Sequence, residues 1–127
     1  MRYLTLTEIL VIHDRIIESI GGSFGVREEN LLRSIVERPK TSFGGTYMFP
    51  EIFDKAATYL ESLATYHVFV DGNKRTAIAV TSFFLSLNGF TIELPIEETE
   101  SFILAAAQKH VHLKEIALWL KKHCRET

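Results

Sequence analysis

Apolar positions along the 127-residue chain recur mostly at helical spacing. Ile9, Ile12, His13, Ile16, Ile17 and Ile20 lie three or four residues apart, which predicts an amphipathic first helix. Thr5-Leu-Thr-Glu8 supplies capping-box spacing at its start, and Gly21-Gly22 stops it. A second helix is predicted over Glu29–Glu37, with Leu31, Leu32, Ile35 and Val36 on one face and Pro39 limiting its extension. A third runs from about Glu51 to Tyr66, turning Ile52, Phe53, Ala56, Leu60 and Leu63 inward. A fourth, Lys74 to about Leu87, is apolar on nearly every side, as expected of a helix surrounded by others. Asn88-Gly89 ends it at C′. Phe90–Pro95 alternates like a short strand with no obvious partner. Two last helices, Glu97 to about Lys109 and Lys114–Cys124, meet near His110-Val-His112. The expectation is an all-α bundle, one domain over residues 1–127, built around a central buried helix.

The one long irregular stretch, Pro39–Pro50, contains Gly44-Gly45 among Phe43, Tyr47, Met48 and Phe49. A stretch of that length and composition is either a flap that grips a protein segment or a loop with its aromatics folded into the core.

Composition narrows the function classes. A net charge of −2 with scattered Lys and Arg gives no electrostatic footprint for direct nucleic-acid binding. The uncharged run Thr76–Ile92 is too short and polar to span a bilayer, and Glu8 interrupts any signal-like N-terminus. With Cys124 as the only cysteine, no internal disulfide forms, and the thiol reads as a packing group. A cytoplasmic location without membrane contact is expected. Glu97, Glu98 and Glu100 sit where carboxylates favour a helix dipole, a stabilising use.

Candidate chemistry concentrates in His67-Val-Phe69-Val-Asp71-Gly72-Asn73-Lys74-Arg75, between the third and fourth helices. A helix starting at Gly72-Asn73 presents unbonded N–H groups to an anion, phosphate above all. Lys74 and Arg75 in a first turn oppose the helix dipole unless a polyanion occupies the site. Gly72 lets backbone approach a ligand closely. Asp71 is suited to a Mg²⁺ that also bridges phosphate oxygens. His67 is placed to take a proton from an attacking hydroxyl, and Phe69 to anchor the loop. Val-Phe-Val-Asp-Gly-Asn could instead enter a hairpin, but no alternating partner strand follows. A phosphate-cradling Gly-x-x-x-x-Gly-Lys loop is excluded by the missing upstream glycine and strand. A zinc set of His67, Asp71, His110, His112 and His123 lacks ligand spacing.

His67-x-Phe69-x-Asp71-Gly72-Asn73-Lys74-Arg75 resembles the signature of the Fic/Doc family, and within it the Doc (death-on-curing) toxins of toxin–antitoxin pairs. The resemblance extends through the capped first helix, the Gly-Val-Arg to Arg38-Pro39 segment and the flap. It implies His67 as general base, Asp71 as Mg²⁺ ligand, Gly72 and Asn73 as anion hole, and Lys74 with Arg75 as phosphate contacts. Adenylylating members usually carry Gly at the Lys74 position and Arg at the Ile78 position, so the differences here are those of Doc-type proteins. The implied activity is phosphoryl transfer from ATP to a protein hydroxyl, with elongation factor Tu as target and translation arrest as outcome. Adenylyl transfer by the same residues and a silent nucleotide- or partner-binding module are the rival readings. Self-inhibited members carry a Ser/Thr-x-x-x-Glu-Gly/Asn helix. Here Gly25 precedes Glu29-Asn30, which implies inhibition in trans by a Phd-like antitoxin folding as an amphipathic helix.

Overall fold

The computed structural model describes residues 1–127 and is all-α, with six helices and two small strand pairs. Helix α1 (Leu6–Ile20) begins at the expected capping box: Thr5 Oγ1 accepts from the Glu8 N–H, and Glu8 Oε1 accepts from the Thr5 N–H. Helix α2 (Glu29–Glu37) runs into a 3₁₀ turn, Arg38–Lys40, which Pro39 permits although it cannot continue an α-helix. Helices α3 (Ile52–Thr65) and α4 (Asn73–Leu87) follow, the latter ending at Asn88 with Gly89 at φ +91°. Helices α5 (Ile96–Ala107) and α6 (Leu113–His123) complete the bundle. No helix is long and apolar enough to cross a membrane.

The surrounded helix is α3 rather than α4. Lys55 through Leu60 are all buried, as are Ser62, Leu63 and Ala64, and α4, α5, α6 and α2 all pack against this helix. Ala56, Ala57 and Ala64 are each 0% exposed, and Ala77 of α4 and Ala117 of α6 are buried as well. Helix α4 keeps one open side, where Phe83 is exposed and Ile78 and Ala79 are half-buried. Counting apolar residues misjudged the two because the polar groups of α3 are satisfied inside the fold. Thr58 Oγ1 donates to the Lys55 carbonyl, Ser62 Oγ accepts from Arg38, and Lys55 Nζ donates to the Pro39 carbonyl.

The stretch before α3 resolves both expectations by dividing it. Strands β1 (Ser42–Phe43) and β2 (Thr46–Tyr47) form a hairpin turning at Gly44-Gly45, with Phe43, Tyr47 and Met48 exposed, while Phe49 is buried. Lys55 Nζ lies 4.0 Å from the Tyr47 ring centroid and fastens this hairpin to the first turn of α3. The extended Phe90–Pro95 piece does find a partner. Strand β3 (Phe90–Ile92) pairs antiparallel with β4 (Cys124–Glu126), so Cys124 opens a strand instead of closing the last helix. Burial pushes the Cys124 thiol up to about 11, in keeping with a packing group.

Candidate functional site

Gly72 is the N-cap of α4 in the left-handed region, at φ +77°. A Cβ there would lie 3.1 Å from Ile17 Cδ1 and 3.8 Å from the His13 ring. On the side where a Cβ would stand, the close approach that glycine permits is to α1. Thr76 N–H donates to the Gly72 carbonyl and starts the ladder, which leaves the N–H groups of Asn73, Lys74 and Arg75 without an acceptor in the chain. Lys74 and Arg75 are exposed, and neither joins an ion pair.

The Asn73 side chain has a task that the sequence did not disclose. Its Oδ1 accepts from the Phe69 N–H and its Nδ2 donates to the Phe69 carbonyl, both at 3.0 Å. This two-point clamp ties the loop to the first residue of α4. Phe69 itself is 1% exposed, the core anchor expected.

Asp71 is exposed; its Oδ2 accepts from the Ser23 N–H at 2.9 Å and its Oδ1 has no partner. One bound and one open carboxylate oxygen, beside unpaired N–H groups and cations, fit a Mg²⁺ that takes the rest of its shell from phosphate and water. His67 directly follows the C-cap of α3 and stands at φ +48°, with its side chain exposed and without a hydrogen bond in the chain.

The segment that holds this loop is 21–28, between α1 and α2. Arg27 and Glu28 N–H donate to the Val68 carbonyl, Val70 N–H donates to the Gly25 carbonyl, and Val26 bridges Phe69 antiparallel. The extended character of Val-Phe-Val was thus real, with its partner upstream rather than in a following hairpin strand. Buried His13 reaches the same loop: its Nε2 is 2.7 Å from the Asp71 carbonyl, and its ring stacks on Phe69. Sequence reasoning missed both as parts of the site. The three glycines at 21, 22 and 25, all at positive φ, were the available signal.

The hairpin at 42–47 is held at the N-terminal end of α3. Tyr47 of the hairpin sits on Lys55 in the first turn of α3, whereas His67 follows the helix's other end at Thr65. A trough of about 510 Å³ begins at Lys74 and Arg75 and continues over Ile78, Ile103 and Leu104, with Glu100 at its edge. Among its lining residues is Thr99, whose buried hydroxyl has no hydrogen-bond partner. Of the remaining histidines, His110 is exposed with no side-chain hydrogen bond, and the other two are used elsewhere. His112 is the N-cap of α6, where its N–H donates to Glu115, and His123 Nε2 lies 3.2 Å from Glu98 Oε1. No three His, Cys, Asp or Glu side chains are gathered as a metal cluster.

The Fic/DOC family model matches residues 3–85, which run from before α1 almost to the end of α4. A protein named Toxin Doc from Mycolicibacterium smegmatis is 38% identical over 101 residues, 78% of each chain. Protein kinase doc of Escherichia phage P1 is 28% identical over 122 residues, 96% of this chain and 95% of its own.

Proposed function

The chain belongs to the Fic/Doc family, and from that premise we propose that it is a Doc-type toxin that transfers the γ-phosphoryl group of ATP to a hydroxyl of a protein, elongation factor Tu by resemblance, and so arrests translation. The observation that carries this reading is the first turn of α4, where three N–H groups and two cations stand unpaired. Repulsion between Lys74, Arg75 and the positive helix end is relieved when a polyphosphate binds there. Arg75 offers a two-pronged fork to phosphate oxygens and Lys74 a compact charge.

In this reading His67 removes the proton from the target hydroxyl. The hydroxyl oxygen forms its bond to the γ-phosphorus as the bond to the β,γ-bridging oxygen breaks, and ADP leaves with the electron pair. An exposed imidazole with no partner in the chain is available to an incoming protein substrate, and such a base supplies about 10²–10⁴ in rate. Asp71 would hold Mg²⁺ through its open Oδ1, and the ion would neutralise phosphate charge. The N–H groups of Asn73, Lys74 and Arg75 are preorganised donors for the charge that develops on the transferred group. The apolar trough beyond Arg75 would receive the nucleoside end of ATP. Lys74 and Ile78, which stand in place of the adenylylating residues, favour γ- over α-phosphoryl transfer. The name Toxin Doc of one relative and Gly25 before Glu29-Asn30 support control in trans by a separate antitoxin, and the protein would act in the cytoplasm.

The test is incubation with Mg²⁺, elongation factor Tu and ATP labelled at either the γ- or the α-phosphate, with His67→Ala as blank. Label from γ-ATP alone, absent in the blank, is the expected result. Label from α-ATP overturns it in favour of an adenylyl transferase, and no label from either, with other protein acceptors also tried, in favour of a binding module.

A further inference from the structure

We propose that His13 is a positioning residue for the transfer site, fixing the main chain at Asp71 through the proton on its Nε2. The proposal rests on the function proposed above for Asp71, but its geometry stands apart from that reading. His13 is 1% exposed on the inner face of α1. Its Nε2 lies 2.7 Å from the Asp71 carbonyl oxygen, which can only accept, so Nε2 carries the proton. The other ring nitrogen faces Asp14 Oδ1 at 3.5 Å. The ring stacks on Phe69 with centroids 3.8 Å apart and planes 8° from parallel, and it borders the space that a Cβ on Gly72 would enter. One side chain therefore touches residues 69 and 71 and lies beside 72.

A space-filling core residue would need no N–H there. The 21–28 segment bonds Val68, Val70 and the Asp71 carboxylate, whereas the Asp71 carbonyl is held by His13 alone. That carbonyl belongs to the peptide leading into Gly72 and the N–H groups of α4. Its orientation sets both the aim of the Asp71 side chain and the start of the anion-facing turn. Helix α1 is a firm base for this, being capped at its own N-terminus.

His13→Gln and His13→Met form the test pair: both lose the ring and are unbranched, but only glutamine keeps an N–H donor at comparable reach. Amide hydrogen exchange should rise about tenfold or more at Ser23 and Val70 in H13M relative to H13Q, with α5 and α6 unchanged. In the labelled-ATP assay kcat should fall about tenfold to a hundredfold in H13M and recover in H13Q, with KM for ATP moving less than kcat. Equal exchange and equal kcat in the two variants would overturn the proposal. If neither variant folds, the tautomer of the unaltered protein decides it: nitrogen NMR must find Nε2 protonated, and a bare Nε2 refutes it. Failure of the wild-type chain to transfer label would count against the function proposed for the site, while exchange and tautomer still judge His13.

Discussion

Replacing Asn73 by alanine tests whether the loop and the helix are joined by one amide. The change removes two 3.0 Å hydrogen bonds and leaves the N–H and the carbonyl of Phe69 without partners. Phe69 is 1% exposed, so water cannot easily replace them. Each group left unpaired costs about 1–3 kcal/mol, and the better helix propensity of alanine returns roughly 0.5 kcal/mol. With two groups unpaired the net loss should be about 1.5–5.5 kcal/mol, which for a chain of this size lowers the thermal midpoint by roughly 5–27 °C. Unfolding followed by circular dichroism, with urea midpoints as a second measure, reads this directly. Asn73→Asp sharpens the test because it keeps an acceptor for the Phe69 N–H but sets a carboxylate oxygen against the Phe69 carbonyl. That carboxyl should titrate above its unfolded value, so the folded state binds the extra proton and N73D regains stability as pH falls toward 4. N73A has no group that could do so. A loss under about 0.5 kcal/mol in N73A, or parallel pH profiles for the two variants, would refute the clamp.

Three further outcomes follow from other contacts. Asp71→Ala should weaken ATP binding in the presence of Mg²⁺ by calorimetry while barely changing affinity in its absence; equal loss in both conditions would remove the metal role. The hydrogen bonds from Arg2 and from the Thr5 N–H hold the Glu8 carboxyl down at about 2, so its stabilisation is complete above about pH 4.5 and is lost as pH falls toward 2. Glu8→Gln should flatten that part of the urea-midpoint profile, and an unchanged slope would contradict the capping geometry. Burial lowers the Lys55 ammonium below its ordinary value of 10.5, so the unfolded state binds the proton more tightly and stability rises as pH climbs toward that value. Lys55→Met should abolish the rise and expose the 42–47 hairpin to proteolysis, whereas an intact rise would assign it to another group.

The parts of this molecule legible in its sequence are those written by local rules. The Thr5–Glu8 cap, the Gly89 stop and the start of α4 at Gly72-Asn73 depend on residues a few positions apart. What escaped depends on long-range pairing. Strand β3 could not be recognised as paired because β4 lies more than thirty residues away. The burial of α3 was concealed by Lys55, Thr58 and Ser62, whose polar groups are satisfied by partners that periodicity does not reveal. Asn73 was read for its backbone because nothing local shows an amide turning back on Phe69. His13 looked like one more residue on the inner face of a helix, and only the fold brings it to Asp71 from 58 positions away.

The 21–28 segment grips the 68–71 loop almost wholly by main-chain atoms: the N–H groups of Ser23, Arg27 and Glu28 and the carbonyl of Gly25. Bonds of this kind are indifferent to side-chain identity. The side chains at positions 23, 27 and 28 are therefore free to vary without loss of these bonds, proline excepted, while the glycines at 21, 22 and 25 are required by their backbone angles. The number of residues between Ile20 and Glu29 is fixed as well, since one inserted or deleted residue would put every donor out of step with its acceptor. What this segment demands of its sequence is a length and three glycines, a requirement set by the backbone and not by side-chain chemistry.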